Sequence, residues 1–164
     1  MPELQQLDAH HAPAVLAFEL ANRAYFAASV TDRGDAFFER FEEGFQALLA
    51  EQAAGVSVFH VLVADDGSVL GRFNLYDIED GTADLGYRVA RHATGRGLAT
   101  AAVRELCVLA ATRFRLSALR AGTSRTNLAS QKVLAKAGFV PAPPPPGREA
   151  SLWFRRELPA SPGD

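Results

Sequence analysis

The spacing of apolar residues changes period along the chain, and each change marks a new element. Leu4 to Leu7 reads as a short first strand, and Pro13 then sits at a helix start with Val15, Leu16, Phe18 and Leu20 behind it. From Asp35 to about Gln52, Phe37, Phe38, Phe41, Phe45, Leu48 and Leu49 recur at helical spacing, which predicts one long helix with an aromatic stripe. Ser57 to Ala64 alternates instead. Asp65-Asp66-Gly67 makes a turn into Val69 to Tyr76, and Asp80-Gly81 makes another into Ala83 to Val89. A third helix follows from Gly97, with Leu98, Ala102, Leu106, Leu109 and Ala110 on one face. Leu119 opens a further strand, and a polar loop then leads into a helix capped by Asn127 and stopped by Gly138. The prolines between Pro141 and Pro146 read as a stiff extended connector, because Leu152-Trp153-Phe154 looks like a strand beyond them. Residues 1–158 therefore form one domain, and residues 159–164 are expected to be a loose tail.

Composition narrows the class without naming it. A chain of 164 residues, 48% apolar and 22% charged, is ordinary for a soluble domain with a sizeable core. No apolar run approaches bilayer length and the N-terminus lacks a signal pattern, so no membrane is expected. Cys107 is the single cysteine, which makes a reducing cytoplasm the simplest compartment. Set mid-helix beside Leu106 and Val108, it reads as packing rather than a nucleophile. A net charge of −2 argues against nucleic acid as a partner. His10, His11 and His92 lack metal-ligand spacing, so no metal site is expected. His60, inside Phe59-His60-Val61-Leu62-Val63, reads as a satisfied core or edge histidine.

The chemistry concentrates between Asp84 and Leu106. A strand there runs through a glycine-bearing loop into a helix start, which gathers backbone N–H groups and the positive dipole end at one point. An anion, most simply a phosphate, suits such a place. Gly95 and Gly97 let the backbone bend tightly, while Arg91 and Arg96 supply cations at the rim. No Gly-Lys-Ser/Thr follows, so the loop is not a P-loop. A third glycine at the dinucleotide offset is missing too.

The segment His92-Ala93-Thr94-Gly95-Arg96-Gly97 instead resembles the acyl-CoA pyrophosphate loop of the GNAT acetyltransferase superfamily, Gln/Arg-x-x-Gly-x-Gly/Ala, with histidine in the first position. A second segment resembles the same family at Asn127, Ser130, Gly138 and Phe139. Leu134 stands where many of these enzymes carry a tyrosine that protonates the departing thiolate. Ser130, Gly71 and Leu85-Gly86-Tyr87 look like the Rim-type branch, the ribosomal-protein N-terminal acetyltransferases. The resemblance implies a single α/β domain with a mixed, mostly antiparallel sheet flanked by helices. It also implies acetyl-CoA as co-substrate, bound through Val89, Ala90, Arg91, His92, Gly95, Arg96, Gly97, Leu98, Ala99 and Asn127. In this reading the N–H groups around Val89 and Ala90 meet the thioester carbonyl, Asn127 meets the pantetheine arm, and Ser130 lies near the thiol. Apart from the resemblance, Asn127 is a plain N-cap and Ser130 a first-turn hydroxyl.

Acetyl transfer to an amine requires a deprotonated amine, a held oxyanion and a leaving thiolate. Asp84 and Glu79 are the candidate bases, Asp84 the first choice, and each reads first of all as a solvated hairpin carboxylate. An α-amine, with a pKa near about 8, is neutral in roughly a tenth of molecules at neutral pH and depends little on a base. The expected partner is thus an amine acceptor, first a protein N-terminus. A small amine such as an amino acid, polyamine or aminoglycoside is the alternative, and a homodimer is left open. A non-catalytic acyl-CoA-binding protein and a phosphate-binding regulatory domain stand as readings from other classes.

Overall fold

The computed structural model describes residues 1–159, and the expected tail beyond Pro159 lies outside the described residues. The chain order is β1 (Glu3–Gln6), α1 (Ala12–Ala21), α2 (Arg23–Ala27), α3 (Asp35–Glu39), α4 (Phe41–Ala53), β2 (Val58–Val63), β3 (Val69–Glu79) and β4 (Thr82–Val89). There follow α5 (Leu98–Thr112), β5 (Ala118–Thr123), α6 (Leu128–Lys136), β6 (Val140–Ala142) and β7 (Leu152–Glu157). Among the described residues the strands form one seven-stranded sheet in the order β1-β2-β3-β4-β5-β7-β6. Every pairing is antiparallel except β4 with β5. The expected mixed, mostly antiparallel α/β domain is the architecture found.

Both faces of the sheet are covered. Alternate residues of a strand point to opposite faces, and the contacts show which helix takes which. Arg72 of β3 reaches Glu19 of α1, whereas Tyr87 of β4 reaches Ser130 of α6. Phe73 and Tyr87, opposite one another in register, stack at 5.6 Å on the α6 side. Helices α1 and α4 pack together, as do α5 and α6. Double coverage explains why Val69 to Leu75 is buried without interruption, although polar Arg72 and Asn74 fall within the run.

Three readings are corrected, and one short helix is added. The predicted Asp35–Gln52 helix is broken at Arg40, which takes φ −109 and ψ 29. The break separates two jobs of the aromatic stripe: Phe41 and Phe45 enter the core, while Phe37 and Phe38 lie under the guanidiniums of Arg33 and Arg23. Helix α2 gave no signal, being five residues long. The proline run begins inside β6, where Pro141 is tolerated because β6 is the sheet edge. His60 is in the core but is not satisfied: neither ring nitrogen has a partner among the described residues. Cys107 is buried on α5, and burial pushes its thiol pKa up, as expected of a packing residue.

Candidate active site

Strands β4 and β5 pair only through Thr82, Ala83 and Asp84, opposite Ala118, Leu119 and Arg120, and then separate. A gap therefore opens beside the second half of β4. At its upper end the chain turns through Arg91–Ala93 into the glycine loop. Gly95 and Gly97 both hold φ 74, a left-handed conformation that glycine adopts without strain. No Cβ contact lies within 4 Å at either, so backbone angle rather than crowding selects glycine here.

From Gly95 to Thr100 no backbone N–H donates to another described residue, and α5 begins without a side-chain cap. Six successive donors thus surround the positive end of a fifteen-residue helix. Such a cradle suits a pyrophosphate. The N–H of Arg91 donates to Asn22 Oδ1 at 3.0 Å. That bond ties the loop to α1 and leaves the Arg91 side chain, not its backbone, for a ligand. His92 and Arg96 are exposed at the rim.

The strand end also separates two residues that the sequence had treated together. Ala90 N–H donates to Leu70 O at 2.8 Å, so it is not free to meet a carbonyl in the gap. Ladder alternation then turns the N–H groups of Val89 and Tyr87 the other way, toward the opening that β5 leaves. Val89, not Ala90, is the N–H left open toward the gap.

Helix α6 closes the gap from one face. Asn127 caps it, its Oδ1 accepting from Ser130 N at 3.1 Å, which leaves the amide nitrogen to donate outward. The Ser130 hydroxyl meets the Tyr87 phenol at 2.9 Å. Burial raises the pKa of that phenol, so it stays protonated at neutral pH. In the sequence Tyr87 stands only as part of the Leu85-Gly86-Tyr87 motif; its side chain joins the site because strand alternation turns it toward α6.

The candidate bases fare unequally. Asp84 sits where β4 and β5 part, with Arg120 Nε and Nη2 both at 2.9 Å from Oδ1. It faces the α1 side of the sheet, together with Arg88. Glu79 pairs with Thr82 at the distal hairpin end and is exposed. Seven strand steps of about 3.3 Å separate Thr82 from Val89, which removes Glu79 from the gap. His10 is on the surface, and His11 is used locally: its Nδ1 accepts from Asp8 N, and its Nε2 meets Gln5 Oε1. Among the described residues no group of three histidine, cysteine, aspartate or glutamate side chains is placed to hold a metal.

A model of the acetyltransferase (GNAT) domain family matches residues 3–140. A curated relative, the probable N-acetyltransferase YjcK of Bacillus subtilis, is 36% identical over 84 residues, 49% of this chain and 46% of that protein. The chain thus aligns with about half the length of this relative. The ribosomal-protein-S5-alanine acetyltransferase from Vibrio fischeri superposes with a TM-score of 0.84 at 19% identity, over 95% of this chain and 92% of its own. Spermidine N-acetyltransferase from Vibrio cholerae, solved with CoA and spermine, gives 0.75 at 14% identity, over 96% and 95%. The chain belongs to the GNAT acetyltransferase family. Its fold matches structures whose named acceptors differ, so the fold leaves the acceptor undecided.

Proposed function

We propose that the protein transfers an acetyl group from acetyl-CoA to a primary amine, with a protein N-terminal α-amine as acceptor. The observation that carries this reading is the run of open N–H groups from Gly95 to Thr100, set at the end of the gap that also holds Val89 N–H and Ser130. In this reading the cradle and Arg96 hold the pyrophosphate, and the Asn127 amide nitrogen donates to the pantetheine arm. The carbonyl of the thioester accepts from Val89 N–H, a donor already fixed in place by the sheet. Ser130 donates to the sulfur as the thiolate leaves. Acetyl-CoA supplies the activated acyl group, and holding both reactants in one gap removes much of the entropy cost of their meeting.

Of the two candidate bases we keep Asp84, which is paired with Arg120 and stands two strand steps nearer Val89 than the Thr82–Glu79 pair does. An α-amine suits this arrangement better than a lysine side chain, which at a pKa near about 10.4 is neutral in less than one molecule in a thousand. The test is thiol release from acetyl-CoA across a panel of N-terminal peptides, amino acids, polyamines and aminoglycosides. Release with some amine supports the transferase. Acetyl-CoA binding without release for any amine makes the protein a binder instead.

A further inference from the structure

The residue after Tyr87 turns to the other face of β4 and enters a cluster whose charge does not close. Glu19 of α1 is 2% exposed and meets three guanidiniums: Arg33 Nε at 2.7 Å, Arg72 Nη1 at 3.0 Å and Arg88 Nη1 at 3.5 Å. Arg72, 6% exposed, rises from β3 directly beneath and is the structural partner of the pair. Arg33 comes from the segment before α3 and fastens it to α1. Arg88 is the surplus cation. Its contact is the longest of the three, and among the described residues its guanidinium makes no other hydrogen bond. Its charged group lies 4.9 Å over the Phe26 ring. Burial, together with the like charges of Arg33 and Arg72, pushes its pKa down, as expected of a cation short of counter-charge.

Nearby carboxylates do not repair the imbalance. Asp32 and Asp35 are both held by Arg23. Beside Arg88 a narrow cleft opens between α1, α2 and residues 31–33, with Phe26 and Phe38 as apolar walls; Thr31, the arginines Arg23, Arg33 and Arg88, and the carboxylates Glu19 and Asp32, each already paired with an arginine, contribute the polar groups. This cleft is on the α1 face of β4, opposite the Tyr87–Ser130 pair. Arg88 is also the residue next to Val89, whose N–H faces the gap.

We propose that the cleft receives a carboxylate carried by the acceptor amine, with Arg88 as its main partner and Arg33 as the second. The inference rests on the acetyl-transfer reading and names the acceptor class within it. Arg88 directly precedes Val89 on β4, so the acceptor proposed here carries its carboxylate close to the reacting amine. Two sources supply that chemistry: an acidic residue at the start of a peptide, or the α-carboxylate of a free amino acid. A polyamine meets like charge there and is disfavoured.

The experiment measures acetyl transfer to matched amines. Peptides beginning Ala-Glu and Ala-Gln test the acidic side chain, glycine and glycinamide test the free carboxylate, and spermidine is the cationic control. Charged hydrogen bonds of this kind correspond to about a tenfold or larger preference. The acidic member of at least one matched pair should therefore lead by that factor, the pair identifying the source. Arg88→Met should bring the ratio near one, and Arg88→Lys should keep part of it. Glu19 retains Arg33 and Arg72 in both variants, and the wild-type ratios and their loss at high salt need no variant. Equal rates within both pairs, or a lead for spermidine, overturn the carboxylate site. Calorimetry of the same peptides with the CoA-bound protein separates the two levels. Arg88-dependent preference for the acid with no acetylation anywhere overturns the transferase and keeps the site; acetylation without acid preference does the reverse.

Discussion

The Tyr87 phenol and the Ser130 hydroxyl meet at 2.9 Å across the space between β4 and α6. Tyr87 is held by stacking on Phe73, and Ser130 stands in the first turn of a capped helix, so neither group is free to wander. Ser130→Ala should lower kcat roughly ten- to a hundredfold with acetyl-CoA affinity nearly unchanged, because the lost contact strengthens only as the thiolate departs. Tyr87→Phe keeps the stacked ring and should slow the reaction less. If the phenol acts through the serine, the double variant is no slower than Ser130→Ala alone. Single-turnover transfer is the measurement, and an unchanged rate in Ser130→Ala makes it a simple first-turn hydroxyl.

Gly97→Asp tests the cradle. A side chain at φ 74 is strained by about 1–2 kcal/mol but meets no atom within 4 Å, so the fold should survive. The carboxylate then lies among donors meant for an anion and repels it. Acetyl-CoA binding should be lost. Near wild-type affinity by calorimetry in a folded variant overturns the assignment of this loop.

Asn127→Ala should separate into two effects. Losing the bond to Ser130 N costs roughly 0.5–2 kcal/mol of stability, read from urea unfolding. Losing the outward amide raises KM for acetyl-CoA. A destabilised variant with unchanged KM leaves Asn127 as a cap alone.

His60 predicts an acid-sensitive core. Burial, with a smaller contribution from Arg113, pushes its pKa down to about 4. Above pH 6.5 both folded and unfolded forms are neutral there, and no penalty applies. As pH falls from 6.5 toward 4 the unfolded chain takes a proton that the folded one refuses, so stability drops by about 2 kcal/mol at pH 5. Denaturant unfolding of wild type and His60→Leu at pH 7 and pH 5 checks this: the substitution should remove most of that decline. Equal pH dependence in both proteins assigns the decline to other groups.

Local pattern was enough to locate nearly every strand and the two functional helices. Alternation placed β2, β3 and β4, and glycine punctuation located the loop, the start of α5 and the stop of α6, because these signals depend on neighbours in the chain. The run of open N–H groups and the Asn127 cap were legible for the same reason: they are built within a few residues of chain. What the sequence left open depends on distant partners. Ala90 and Val89 are adjacent, yet only the ladder with Leu70 decides which N–H is consumed and which faces the gap. Asp84 became an ion-paired carboxylate through Arg120, thirty-six residues away, and Glu79 left the site because hairpin length carries it away. Tyr87 and Arg88 are neighbours sent to opposite faces, one toward Ser130 and the other toward Glu19. Residue type and spacing determine which groups this chain owns. Sheet register and helix placement, set by burial of both faces, determine which of those groups meet.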